Sequence, residues 1–188
     1  MAMPAVRTAW TVEMLDDLPD DGNRYELIDG ELFVTRAASD VHQLVIVSLV
    51  TRLHAYLRPS SVARVIMSPS DVRRPDRERN RLQPDVFVVK LVERQRPPYP
   101  FDLADLLLAI EVVSPSNAQY DYQTKRELYL RHGVAEYWIV DPEARTFARW
   151  RGAADPAERL TERIEWQPRG LDGPLVINLA ELFDDALG

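Results

Sequence analysis

The chain has 188 residues, 46% hydrophobic and 28% charged, which is enough apolar material for the core of one globular domain and argues against a second. It contains no cysteine, which removes disulfides, thiolate metal sites and cysteine nucleophiles together, so any bound metal has oxygen or imidazole ligands. The net charge of -7 disfavours sequence-blind binding to a polyanion, although carboxylates that hold a divalent cation would themselves add to that count.

No apolar run is long enough to span a bilayer, and the first ten residues, "MAMPAVRTAW", lack the apolar core of a signal peptide. A cytoplasmic location without membrane association is the expectation. In chain order, "TVEMLDDLP" reads as a short helix capped by Thr11 and ended by Pro19. "YELIDGELFVT" then reads as a hairpin around Asp29-Gly30, because that pair tolerates the positive φ of a tight turn. The main amphipathic helix is "SDVHQLVIVSLVTRLHAYLRP", with Leu44, Val45, Leu49, Leu53 and Leu57 at helical spacing, Ser39 or Asp40 as cap and a stop at Pro59.

Three β-type runs follow: "ARVIMSPSDVR", "PDVFVVK" and "LLLAIEVV". The last two are nearly all apolar, as central strands covered on both faces are. Within "RRPDRERNR" five arginines stand against Asp76 and Glu78; the stretch reads as a solvated loop between strands, or as a local strip in which Arg73 and Arg74 guide a phosphate backbone. "SNAQYDYQTKRELYLRHGV" is a second helix, capped by Ser116 or Asn117 and closed by Gly133. "AEYWIVDP" and "TFARWR" make a strand pair, and "RIEWQP" with "LVINLAELFDDAL" supplies a strand, a short strand and a terminal helix. The fold class is α/β (α+β): one central mixed β-sheet flanked by helices, with an N-terminal hairpin, in a single domain over 1–188.

The chemistry begins at Glu111, a carboxylate inside "LLLAIEVVSPS". Removing an ionised carboxylate from water costs several kcal/mol, roughly, unless a cation, a metal or hydrogen-bond donors compensate it. Asp85 opens the neighbouring apolar run, so on paired strands the two acids can converge on one face. Mg2+, or Mn2+ in its place, is the natural partner: it takes oxygen ligands, and the Val112 carbonyl could add one. Lys125 is the third member, one of only two lysines with Lys90. Asp121, Lys125, Leu128, Tyr129 and His132 share one helix face, so the ammonium could approach Glu111 and orient or help deprotonate a water attacking phosphorus. The competing reading is a surface ion pair between Asp121 and Lys125.

Taken together, "YELIDGEL", "PDVFVV", "AIEVVSPS", "DYQTKRELY" and "HGVAEYWIVDP", in that order, resemble the Uma-two family of restriction endonucleases, assigned to the PD-(D/E)xK nuclease superfamily. The resemblance covers roughly 11–150, with a tail to Phe183. It implies a restriction-endonuclease-like core with Asp85 and Glu111 as metal ligands and Lys125 as the catalytic lysine. One departure stands out: the superfamily pattern puts lysine two residues after the second acid, where this chain has Val113, so the lysine would have moved to the following helix. Glu26 also matches and would complete the metal shell or hold Lys125. His42 matches a family histidine that could touch substrate or a carboxylate, and Ser114 could face a substrate phosphate.

Three scattered histidines make no zinc motif, and no Gly-x-Ser-x-Gly elbow or phosphate-cradling glycine loop occurs. The leading expectation is therefore a Mg2+-dependent endonuclease acting on DNA, conceivably as a homodimer. A non-catalytic binding or assembly module on the same fold is the alternative.

Overall fold

The computed structural model describes residues 9–36, 38–74, 77–114, 118–152 and 157–188. Helix α1 (Val12–Asp16) starts at the Thr11 cap, whose hydroxyl accepts from the Met14 amide at 3.5 Å. Strands β1 (Arg24–Ile28) and β2 (Glu31–Thr35) form the expected hairpin. Asp29 at φ 48° and Gly30 at φ 84° supply the two left-handed residues of a turn whose twist matches its strands.

Helix α2 (Asp40–Leu57) is capped by Ser39, which accepts from the His42 amide. Its inner face is Val45, Ile46, Leu49, Leu53 and Leu57. Leu44 departs from the expected stripe and is 48% exposed, because one residue of helix rotation, about 100°, turns it away from Val45.

"ARVIMSPSDVR" is two strands rather than one run: β3 (Ala63–Met67) and β4 (Val72–Arg74) join different sheets, with Pro69, which has no amide to give a ladder, between them. The arginine strip is largely strand as well, not a solvated loop. Strand β5 (Arg77–Leu82) pairs antiparallel with β4, and Pro75 and Asp76 lie outside the described residues. Buried Val72, Asn80 and Leu82 anchor the pair, while Arg81 reaches Asp71 at 2.9 Å and Asp16 at 2.5 Å. Acids from other elements thus offset a repulsion that the local sequence leaves open.

Strand β6 (Val86–Lys90), the short β7 (Phe101–Asp102), a 3-10 turn (Leu103–Asp105) and β8 (Leu106–Val112) follow. Helix α3 spans 118–131: α over Ala118–Tyr120, a π turn over Asp121–Lys125, then α over Arg126–Arg131. The caps expected at Ser116 or Asn117 lie outside the described residues; Gly133 follows the helix at φ 86°, as expected. Then come β9 (Tyr137–Asp141), β10 (Thr146–Trp150), β11 (Glu158–Leu160), β12 (Arg163–Trp166), β13 (Leu175–Asn178) and α4 (Leu179–Leu187).

The central mixed sheet expected from sequence has the order β11-β10-β9-β8-β6-β3; among the described residues two further sheets accompany it, β2-β1-β5-β4-β7 with the hairpin at its edge and β12-β13. The six-stranded sheet is mixed: β8 and β9 are parallel and its other pairs antiparallel. Alternation along its central strands divides the core. Val86, Val88, Leu108, Ile110, Val112, Trp138 and Val140 pack with α2 and α4, whereas Phe87, Val89, Ala109, Tyr137 and Ile139 pack with α3 and the second sheet. Among the described residues no helix is long and apolar enough to cross a membrane.

Gly30 tests the hairpin. A Cβ there would sit at positive φ, 3.2 Å from Arg79 Nε and 3.3 Å from Ala9 Cβ. Gly30→Ala should lower the urea unfolding free energy by about 1–2 kcal/mol, the usual penalty for a side chain in the left-handed region.

Candidate active site

Alternation along β8 puts Glu111 on the same face as Ala109, toward α3. Strands β6 and β8 run antiparallel with Val86 opposite Ile110, which brings Asp85, just before β6, beside Glu111. Both acids are buried. Asp85 Oδ2 accepts from the Val112 amide at 2.9 Å and lies 3.0 Å from His42 Nε2, so that nitrogen carries a proton; Oδ1 accepts from Arg24 Nη1 at 2.6 Å.

Lys125 is almost wholly buried, and its Nζ lies 3.0 Å from Glu26 Oε2, 3.1 Å from Glu111 Oε1 and 3.5 Å from Asp121 Oδ1. The Tyr120 ring centroid is 5.5 Å from the same nitrogen. Glu26 Oε1 accepts from the Gln83 amide at 2.9 Å, and the Tyr129 hydroxyl donates to Glu111 Oε1 at 2.8 Å. The surface reading of the Asp121–Lys125 pair is therefore replaced by a buried cluster drawn from β1, β8 and α3.

Four carboxylates, Glu26, Asp85, Glu111 and Asp121, meet two permanent cations, Arg24 and Lys125, so full ionisation leaves two negative charges uncompensated apart from any on His42. The imbalance appears in the acidities. Burial would raise the Asp85 carboxyl, but the His42 hydrogen bond and the charges of Arg24, His42 and Lys125 hold it well below the usual carboxylate range. Burial pushes Glu111 well above that range; Lys125 opposes the rise, while Asp85, Asp121 and Glu26 add to it. Burial also drives Asp121 from its ordinary 3.8 up to about 6, with Lys125 opposing and Asp85 and Glu26 reinforcing. For Lys125 burial acts downward, but Glu111, Glu26 and Asp121 outweigh it and keep an ammonium well above its ordinary range. Lys125 thus stays an ammonium in this cluster.

An open cleft of about 820 Å³ reaches this cluster, and Arg24, His42, Asp85, Val112, Ser114 and Asp121 line it. Glu26, Glu111 and Lys125 do not line it; they are buried behind those residues. The donors fit a hard divalent cation in kind, being carboxylate oxygens with two charges to spare. In arrangement, however, no three His, Cys, Asp or Glu side chains converge as a ready metal cage among the described residues.

The expected residues Glu26, Asp85, Glu111 and Lys125 thus come together, with His42 on Asp85, Ser114 on the cleft wall, and Val112 reaching Asp85 through its amide. Arg73 and Arg74 do not line the cleft: they lie on β4, where Arg74 is 3.8 Å from Asp102. Strand β4 is paired with β5 and β7 in the second sheet. Sequence reading missed Arg24, although its place two residues before Glu26 puts both on one side of a strand. It also missed the aromatic cover of Tyr120 and the π turn, a distortion that favours functional sites and leaves no mark in periodicity.

A family model described as "Uma2: Putative restriction endonuclease" matches residues 12–182. Among solved structures, the chain is similar to one described as a putative nuclease belonging to DUF820 from Anabaena variabilis ATCC 29413. The match has 19% identity and a TM-score of 0.75, and covers 94% of this chain and 99% of the other. That likeness establishes a shared fold. No curated protein matches the sequence.

Two stability measurements probe the cluster in chelator-treated, metal-free protein. With a folded pKa above its ordinary value, Asp121 binds its proton more tightly in the folded state. Its contribution is fully present below about pH 4 and is lost as pH rises through about 6, a change on the order of 3 kcal/mol. Asp121→Asn should therefore raise the thermal midpoint at pH 8, with the advantage fading toward pH 4. Lys125→Ala strands three buried acids and should cost roughly 3–5 kcal/mol at neutral pH by denaturant titration.

Proposed function

The chain belongs to the Uma2 family, and from that premise we propose that it is a divalent-metal-dependent nuclease that hydrolyses phosphodiester bonds of DNA. The observation that carries this reading is the buried Lys125 ammonium set among Glu26, Glu111 and Asp121, directly behind a cleft whose wall presents Asp85. A single acid pair could be structural. Four acids that outnumber the permanent cations, beside an open cleft, suit a cation that would in turn bind a phosphate.

In this reading Asp85 and Glu111 hold Mg2+ or Mn2+, with the Val112 carbonyl as a further ligand. When bound, the ion polarises a phosphoryl oxygen and lowers the pKa of a coordinated water. The chain's own residues do the remaining work. His42 and the Val112 amide fix the Asp85 carboxylate. Tyr129 and Lys125 fix Glu111, and Glu26 with Asp121 keeps Lys125 charged. The ammonium orients the attacking water and offsets negative charge as it builds on the phosphoryl group. Water adds across the bond: its hydroxyl goes to phosphorus, and its proton ends on the departing ester oxygen. Ser114, on the cleft wall, is placed to donate to a phosphate oxygen.

A non-catalytic module draws on one specific observation: both Asp85 oxygens and Glu111 Oε1 already have partners within the chain. Cleavage assays separate the two. Asp85→Ala and Glu111→Ala should each reduce Mg2+-dependent cutting of duplex and single-stranded DNA by at least about a hundredfold. Lys125→Met should lower kcat with little change in DNA affinity. Wild-type protein that cuts neither substrate with Mg2+ or Mn2+ would leave the module reading.

A further inference from the structure

We infer that Arg24 is a built-in competitor for the metal: its guanidinium occupies the one Asp85 oxygen that a cation entering from the cleft would take, and so sets the affinity of the site. The inference rests on the metal-centre reading given above.

The argument starts from which Asp85 atoms are committed. Oδ2 is held twice, by the Val112 amide at 2.9 Å and by His42 Nε2 at 3.0 Å. One of these donors is backbone inside a β-strand and cannot withdraw without breaking the sheet. Oδ1 is held by Arg24 Nη1 at 2.6 Å. Arg24 also lines the cleft, and its side chain is 20% exposed where that of Asp85 is 3% exposed. The guanidinium therefore covers the open side of Asp85.

Arg24 also has somewhere else to stay. Its Nη1 donates to the Gln83 carbonyl at 3.2 Å, and its Nε lies 3.7 Å from Glu26 Oε2. A long side chain on a strand can give up Oδ1 and keep these contacts or turn into the cleft, whereas the Val112 amide has no such freedom. The charge count agrees: without a bound ion, Arg24 is one of only two permanent cations facing four acids, so losing it raises the attraction of the site for any other cation. Competition of this kind lowers apparent metal affinity by the fraction of time that the contact is formed.

The test uses full-length protein, no nucleic acid and Mn2+ alone, with free Mn2+ counted by electron paramagnetic resonance. Arg24→Gln should bind Mn2+ roughly tenfold more tightly than wild type, and saturating Mn2+ should raise its thermal midpoint more than that of wild type. Arg24→Lys keeps a charge with a shorter reach and one donor group. It should bind Mn2+ with intermediate affinity, and it serves if the glutamine variant does not fold. Asp85→Asn should abolish the binding in wild-type and Arg24→Gln backgrounds alike. Equal or weaker Mn2+ binding by both Arg24 variants, with wild-type binding still dependent on Asp85, would overturn the competitor role and leave the metal centre standing. If wild type and the Arg24 variants all lack Asp85-dependent Mn2+ binding, the metal centre falls and the competitor role falls with it.

Discussion

The buried ammonium of Lys125 ties distant parts of the chain to one point. Glu26 comes from the N-terminal hairpin, Glu111 from a central strand, and Asp121 from the same helix as the lysine, yet all three lie within 3.5 Å of one nitrogen. A charge so far from water is tolerable only when opposite charges surround it, and the same condition applies to each acid. The cluster is therefore a mutual dependence. Taking away the cation leaves several uncompensated anions, whereas taking away one acid relieves repulsion among the others.

The acids of the cluster outnumber its permanent cations. Ion pairs that serve structure alone tend toward neutrality, because each unbalanced buried charge costs stability. Here the excess is spread unevenly. Asp85, near the cleft and held by Arg24, His42 and a backbone amide, stays ionised far below its usual range, while burial and like charges push Glu111 upward. Two acids side by side thus have opposite protonation tendencies, set by what packs around each.

The frame around the cluster explains why it holds its shape. Strands β6, β8 and β9 are apolar on both faces, one packed on α2 and α4, the other on α3 and the second sheet. Glu111 is a polar exception in that frame, and Tyr129 and Lys125 descend from α3 to meet it. The π turn over Asp121–Lys125 lies at that meeting point. Strands β1 and β8 and a locally rewound helix position Glu26, Glu111, Asp121 and Lys125, while Asp85 stands just before β6.

Much of this was legible in the residues. The Asp29-Gly30 pair determined the hairpin, Ser39 and Gly133 marked helix boundaries, and the apolar runs carrying Asp85 and Glu111 identified central strands, because each of these signals acts over a few neighbouring residues. The sequence also pointed to Asp85, Glu111 and Lys125 through acids in apolar runs followed by a lysine helix, and to Glu26 through the family resemblance. Tertiary structure alone decided that β3 and β4 belong to different sheets, that the arginine strip is paired strand with Arg73 and Arg74 away from the cleft, and that Arg24 covers Asp85. It also decided the protonation tendencies, since these depend on burial and on charges that lie up to about a hundred residues away in sequence. Local chemistry is written in neighbouring residues; the energy of a charge is set by everything that packs around it.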